Sequence, residues 1–185
     1  MRIPRNLQTD QDHISRFLVV LGGASVEVRT NKRAKAKLFI LAHQFIKDYI
    51  DEGFFRKEEV LINILEEGGF PLNQGPIAAL LADQKKSREA AVVLIETANA
   101  WQAGDASVRS EVGWASSEYT STMRQHLERL KTLIYPLVEQ TIPIEAEEKV
   151  SEDIRGIVFE GGLKDGVEKY VKLIEELEAE YSDWK

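Results

Sequence analysis

Three observations predict an all-α chain. Apolar residues recur at the three- and four-residue spacings of a helix face along nearly the whole sequence. No stretch shows sustained apolar/polar alternation bounded by hairpin turns. The Gly and Pro clusters fall far enough apart to leave long helices between them.

The first helix is expected from about Thr9 into the twenties, with Ile14, Phe17, Leu18 and Leu21 on one face and Gly22 and Gly23 weakening its later part. The second begins near Thr30 or Asn31, both suited to an N-cap, and runs through Leu38, Leu41, Phe45 and Tyr49 to Leu65. It ends at Gly68, Gly69 and Pro71, with Gly53 a loosening point midway. Gly75 and Pro76 open the third, whose buried stripe of Ile77, Leu80, Leu81, Ala91 and Ile95 reaches about Trp101. Gly104 and Asp105 stop that helix and cap the fourth, which carries Tyr119, Met123, Leu127, Leu130, Leu133 and Leu137, with Pro136 near its end. Ser151 is placed as the cap of a short fifth helix ending at Gly161 and Gly162. A last segment puts Val167, Val171, Ile174 and Leu177 on one face, ready to dock on the other helices or on a second subunit.

A chain of 185 residues fits one domain with a substantial core. With 24 basic against 31 acidic residues and a net charge of -7, it disfavours a nucleic-acid partner, which needs clustered Lys and Arg. The one basic run, Lys32, Arg33, Lys35 and Lys37, reads as a solvated face. There is no cysteine, which excludes disulfides, thiolate metal sites and a Cys nucleophile. No signal peptide or uninterrupted apolar span is apparent, so a soluble cytoplasmic protein without a membrane partner is expected.

Each of the four long helices carries a polar residue in its apolar stripe: Gln11, Glu58, Gln84 and His126. A buried polar group needs a hydrogen bond or a ligand, so four of them aimed inward define a candidate site. Their depths can be compared, because two residues level on antiparallel helices lie equally far from the connecting turn. The midpoint of Glu58 and Gln84 is Pro71, that of Gln84 and His126 is Asp105, and that of Gln11 and Glu58 falls near Ala34. The first two coincide with predicted breaks. His13, His43 and Glu59 point away from the stripes and are expected at rims or in solvent, and Trp101, Trp114 and Trp184 are expected as helix-end or packing residues.

Over roughly residues 7–140 the chain resembles the hemerythrin-like family, also called the HHE cation-binding domain. The resemblance is carried by KEEVLINILEEGG around Glu58, GPIAALLADQKKSR at the start of the third helix and YTSTMRQHLERLKTLIYPL on the fourth. It implies an up-down-up-down four-helix bundle, here with additional C-terminal helices at 144–185, in which inward His and carboxylate residues hold two irons. The family's helix-one His falls at Gln11, its helix-two His and Glu at Phe54 and Glu58, its helix-three His at Gln84, and its helix-four His and Glu at His126 and Leu130. Only Glu58 and His126 keep the expected type. Phe54 and Leu130 cannot ligate, and a Gln amide is a weak, neutral ligand.

Three readings follow. In the first, the diiron site has degenerated and the protein is non-enzymatic, a ligand-binding, sensory or scaffold protein in which Gln11, Phe54, Gln84, Tyr119 and Leu130 line the ligand cavity. In the second, Glu58 and His126 keep an altered iron or zinc site for oxygen, nitric oxide or metal ions. In the third, the helices from Ile144 to Trp184 form a homodimer face and function resides in the assembly. For Glu58 and His126 themselves, a hydrogen-bonded ion pair is the alternative to a metal site.

Overall fold

The computed structural model describes residues 2–160 and 166–185, and among them every regular element is helical. The helices are α1 (Arg2–Glu27), α2 (Ala36–Phe45), α3 (Phe55–Glu67), α4 (Gly75–Gln102), α5 (Arg109–Arg129), α6 (Tyr135–Thr141), α7 (Ile144–Glu160) and α8 (Val167–Ser182). A π-helical stretch, Ile46–Phe54, links α2 to α3 as one rod, and a second, Leu130–Ile134, links α5 to α6. No helix among the described residues is long and apolar enough to cross a membrane.

Packing follows the apolar stripes. α5 lies against both α1 and α4, α2 lies on α4, and α3 touches α6. α7 covers α1 and α3, and α8 covers α1 and α2. One apolar cluster includes residues from Ile3 near the start to Trp184 near the end. α8 buries Tyr170, Leu173, Ile174 and Leu177 within the same chain, with Val167 and Val171 half-buried at the margin. Its approach to α1 is close at Gly23, where a Cβ would stand 2.8 Å from the Tyr181 hydroxyl oxygen and the tyrosine would have to shift.

Several boundaries differ from expectation for identifiable reasons. α1 starts at Arg2, seven residues before Thr9, because Ile3 and Leu7 extend the buried stripe upstream and Pro4 is tolerated in a first turn. α2 starts at Ala36, not near Thr30. The Asn31 side chain accepts the Arg33 amide at 2.9 Å, so it shapes the connecting loop in place of capping the helix. Of the basic run, Lys32, Arg33 and Lys35 therefore lie in the loop. Ser151 is no cap: it sits inside α7 and is 1% exposed. The expected helix end at Gly161 and Gly162 lies outside the described residues. The third helix and its stop hold as expected, with the Asp105 carboxylate accepting the Ser107 amide at 3.1 Å.

The π stretches alter which side chains face inward. A strictly α-helical rod advances about 100° per residue, so a run of buried residues spaced by four drifts about 40° per step off the core. Ala42, Ile46, Ile50, Phe54, Glu58 and Ile62 are nevertheless all buried, as are His126, Leu130, Ile134, Val138 and Ile142. The wider π turns absorb the drift by inserting one extra residue per turn. Leu133, expected in the stripe, is consequently 44% exposed, and Ile134 takes the buried place. Ile134→Ala should lower the unfolding free energy by about 2–5 kcal/mol, whereas Leu133→Ala should change it by no more than about 0.5 kcal/mol. Urea titration followed by circular dichroism measures both, and equal effects would contradict the π register.

Candidate functional site

Three of the four inward polar residues meet. Glu58, in the first turn of α3, accepts the Gln84 side-chain amide of α4 on Oε2 at 2.6 Å. Its Oε1 pairs with His126 Nε2 of α5 at 2.7 Å. Glu58 and His126 have no exposed surface, and Gln84 is 4% exposed. The level arithmetic on Pro71 and Asp105 therefore places these three correctly.

The far side of the imidazole makes no hydrogen bond. His126 Nδ1 stands 3.5 Å from Asp83 Oδ2, within ion-pair distance, and Arg129 Nε donates to that same oxygen at 2.9 Å. Burial by itself would drive His126 toward neutrality. The Glu58 charge and hydrogen bond, with the nearby Asp83 carboxylate, outweigh it and hold the imidazolium up to about 9. Burial likewise opposes the Asp83 charge, but His126 and Arg129 win and keep that carboxyl below its ordinary range. The result is an alternating row, Glu58, His126, Asp83, Arg129, running from the core to the half-buried guanidinium.

Gln11 is not part of this set. It is half-buried and lines a groove beside α5, with no hydrogen bond to Glu58, Gln84 or His126. The polar residue that α1 sends inward is its neighbour Asp10, which is 5% exposed. Asp10 Oδ2 accepts the Lys57 ammonium and Oδ1 accepts the Tyr49 hydroxyl at 2.7 Å. Because Tyr49 gives its only proton to Asp10, His13 Nδ1, 2.9 Å from that hydroxyl, must be the donor to it. Burial first, and then the Asp10 charge, push the Tyr49 phenol far above its ordinary value. His13 is thus tied into the site, whereas His43 is half-buried and Glu59 is exposed.

The apolar candidates flank the centre. Phe54 closes the first π stretch and Leu130 opens the second; both are buried. Phe55, which the sequence reading passed over, presents an edge-on ring to His126 with centroids 5.5 Å apart, and the Arg88 guanidinium lies 5.0 Å over that ring. Tyr119 is fully buried and its hydroxyl has no partner. Burial, then the Asp51 charge, raise its phenol well above the ordinary value. Asp51 lies in the first π stretch, and burial raises its carboxyl to about 6 against the pull of Arg88. Tyr135 has a buried hydroxyl without a partner, its phenol raised by burial and then by the charges of Glu58 and Asp10.

Two irons do not fit these residues. Among the described residues no group of three His, Cys, Asp or Glu is placed to hold a metal ion. The positions that the resemblance assigns to a second His and a second Glu hold Phe54 and Leu130, which cannot ligate, and both Glu58 oxygens already have partners. The same polar atoms hold α3, α4 and α5 together through charge-assisted hydrogen bonds. No protein-family model, curated protein or solved structure matches the chain.

Two outcomes test this geometry. A His126 pKa raised from 6.5 to about 9 contributes stability that is fully present below pH 6.5 and is lost as pH rises toward 9. Unfolding free energy measured across that window should fall with a slope that His126→Gln abolishes, and a slope unchanged by that variant would refute the assignment. Asp10→Ala should cost about 3–5 kcal/mol because it strands the Lys57 charge, and adding Lys57→Met should recover much of the loss. Thermal and urea unfolding of the two variants compare these values.

Proposed function

We propose that the chain is a hemerythrin-like protein in which an internal ionic network stands where the family holds its irons, and that it works without catalysis as a ligand-binding or scaffold protein. The observation that carries this reading is the double engagement of Glu58, one oxygen to Gln84 and the other to His126. A carboxylate that bridges metals in the family here bridges two side chains. The pairing of α1 with α5, α5 with α4, α4 with α2, and α3 with α6 supports an up-down-up-down bundle, with α7 and α8 as an added layer.

Support for a non-enzymatic role comes from the chemistry of the centre. Its acids and bases are matched in charge and turned toward one another, and among the described residues no Ser or Thr hydroxyl is hydrogen-bonded to His126 or His13 as an activated nucleophile would be. A role in binding is supported by the groove lined by Gln11 and Tyr135.

The test is elemental analysis of the purified protein with absorption spectra before and after exposure to ferrous iron and air. The expected result is no stoichiometric metal and no visible band. Stoichiometric metal that disappears on Glu58→Gln or His126→Gln would overturn the reading in favour of a retained iron or zinc site. The combined variant Phe54→His, Gln84→His and Leu130→Glu should acquire iron binding. A folded variant that takes up none would refute the family register.

A further inference from the structure

A groove of about 560 Å³ runs along the seam between α1 and the rod formed by α5, the second π stretch and α6. Its residues on α1 extend from Pro4 to Val19, about 20 Å of helix. The volume lies in the range of small-molecule sites. Asp12 stands on the α1 wall, and Arg124, Glu128 and Lys131 follow one another along the opposite wall at helical spacings. Among the described residues none of these four charges lies within ion-pair distance of an opposite charge. Apart from a long contact to the Leu18 carbonyl at 3.5 Å, the Arg124 guanidinium is also without a hydrogen-bonding partner.

Two cations and two anions that face one groove and do not pair across it form a surface complementary to a molecule carrying both signs. Leu18, Val19 and Leu127 give the groove an apolar section, at the level where Arg124 reaches the Leu18 carbonyl. Gln8, Gln11 and Ser15 add neutral donors and acceptors along the α1 wall. Tyr135, 7% exposed, also lines the groove.

We propose that this groove binds a zwitterionic ligand of the amino-acid or short-peptide class. The carboxylate is taken by Arg124, the ammonium by Asp12 on the facing wall, and an apolar side chain rests on Leu18, Val19 and Leu127. A bulk anion or bulk cation would meet an unfavourable pair in the same groove, so the balance of charges selects for ligands bearing both ends. The inference rests on the ligand-binding reading above and names the place and the ligand class.

The experiment is an NMR titration of the labelled protein with the tripeptide Leu-Gly-Gly in three forms: free, N-acetylated and C-amidated. The free peptide should shift the backbone amide signals of α1 and α5 residues lining the groove. Blocking either end should weaken binding about tenfold or more, the size of one charge-assisted contact. Arg124→Gln and Asp12→Asn should each weaken the free peptide while leaving the matching capped form unaffected. Both are exposed surface changes, and the comparison of capped peptides on the unaltered protein stands without them. No shift at millimolar peptide, shifts confined to another face, or equal binding of all three forms would overturn the proposal. Iron uptake by the unaltered protein would sink the metal-free reading yet leave this titration interpretable, whereas a silent groove without metal would sink the ligand class alone.

Discussion

The contact between Glu58 and His126 joins two side chains with no exposed surface, one from α3 and the other from α5. Removing such groups from water is costly, and the cost is offset only where each charge meets an opposite one with good geometry. Every other polar group at this level follows from that requirement. Gln84 occupies the second oxygen of Glu58, Asp83 lies within ion-pair distance of the second nitrogen of His126, and Arg129 balances Asp83 near the surface. The helices cannot slide past one another without leaving one of these groups unpaired in the core, so the network fixes register as well as charge.

The second buried pair shows how adjacent residues serve different neighbours. Lys57 and Glu58 are consecutive, and about 100° separates their directions on the helix. Lys57 reaches Asp10 on α1, while Glu58 reaches α4 and α5. Asp83 and Gln84 divide their contacts in a similar way between α5 and α3. The Tyr135 phenol is held neutral first by burial and then by the charges of Glu58 and Asp10.

Much of this was legible in the sequence. The helical content, the stops at Gly68, Gly69 and Gly104, and the meeting of Glu58, Gln84 and His126 follow from periodicity and from distances to the turns. Asp10 and Lys57 were missed because single charges beside an apolar stripe read as solvated, yet their midpoint also falls in the loop joining α1 to α2 and their signs are opposite. The start of α2 was misplaced because Asn31 suits a loop turn as well as a cap. Leu133 was misplaced because periodicity assumes a constant turn, and nothing in residue type announces a π stretch.

The two π stretches give chain length at these places a chemical meaning. Each adds a residue to a turn immediately beside the buried centre, the first ending at Phe54 and the second beginning at Leu130. Were Ile46–Phe54 wound as a uniform α-helix with no residue removed, each turn would take up fewer residues and α3 would be rotated about its axis relative to α2. Lys57 and Glu58 would then exchange partners for solvent or for each other's neighbours, with every side chain chemically intact. The charge neutrality of the interior is in this sense a matter of counting, written in the number of residues between one turn and the next.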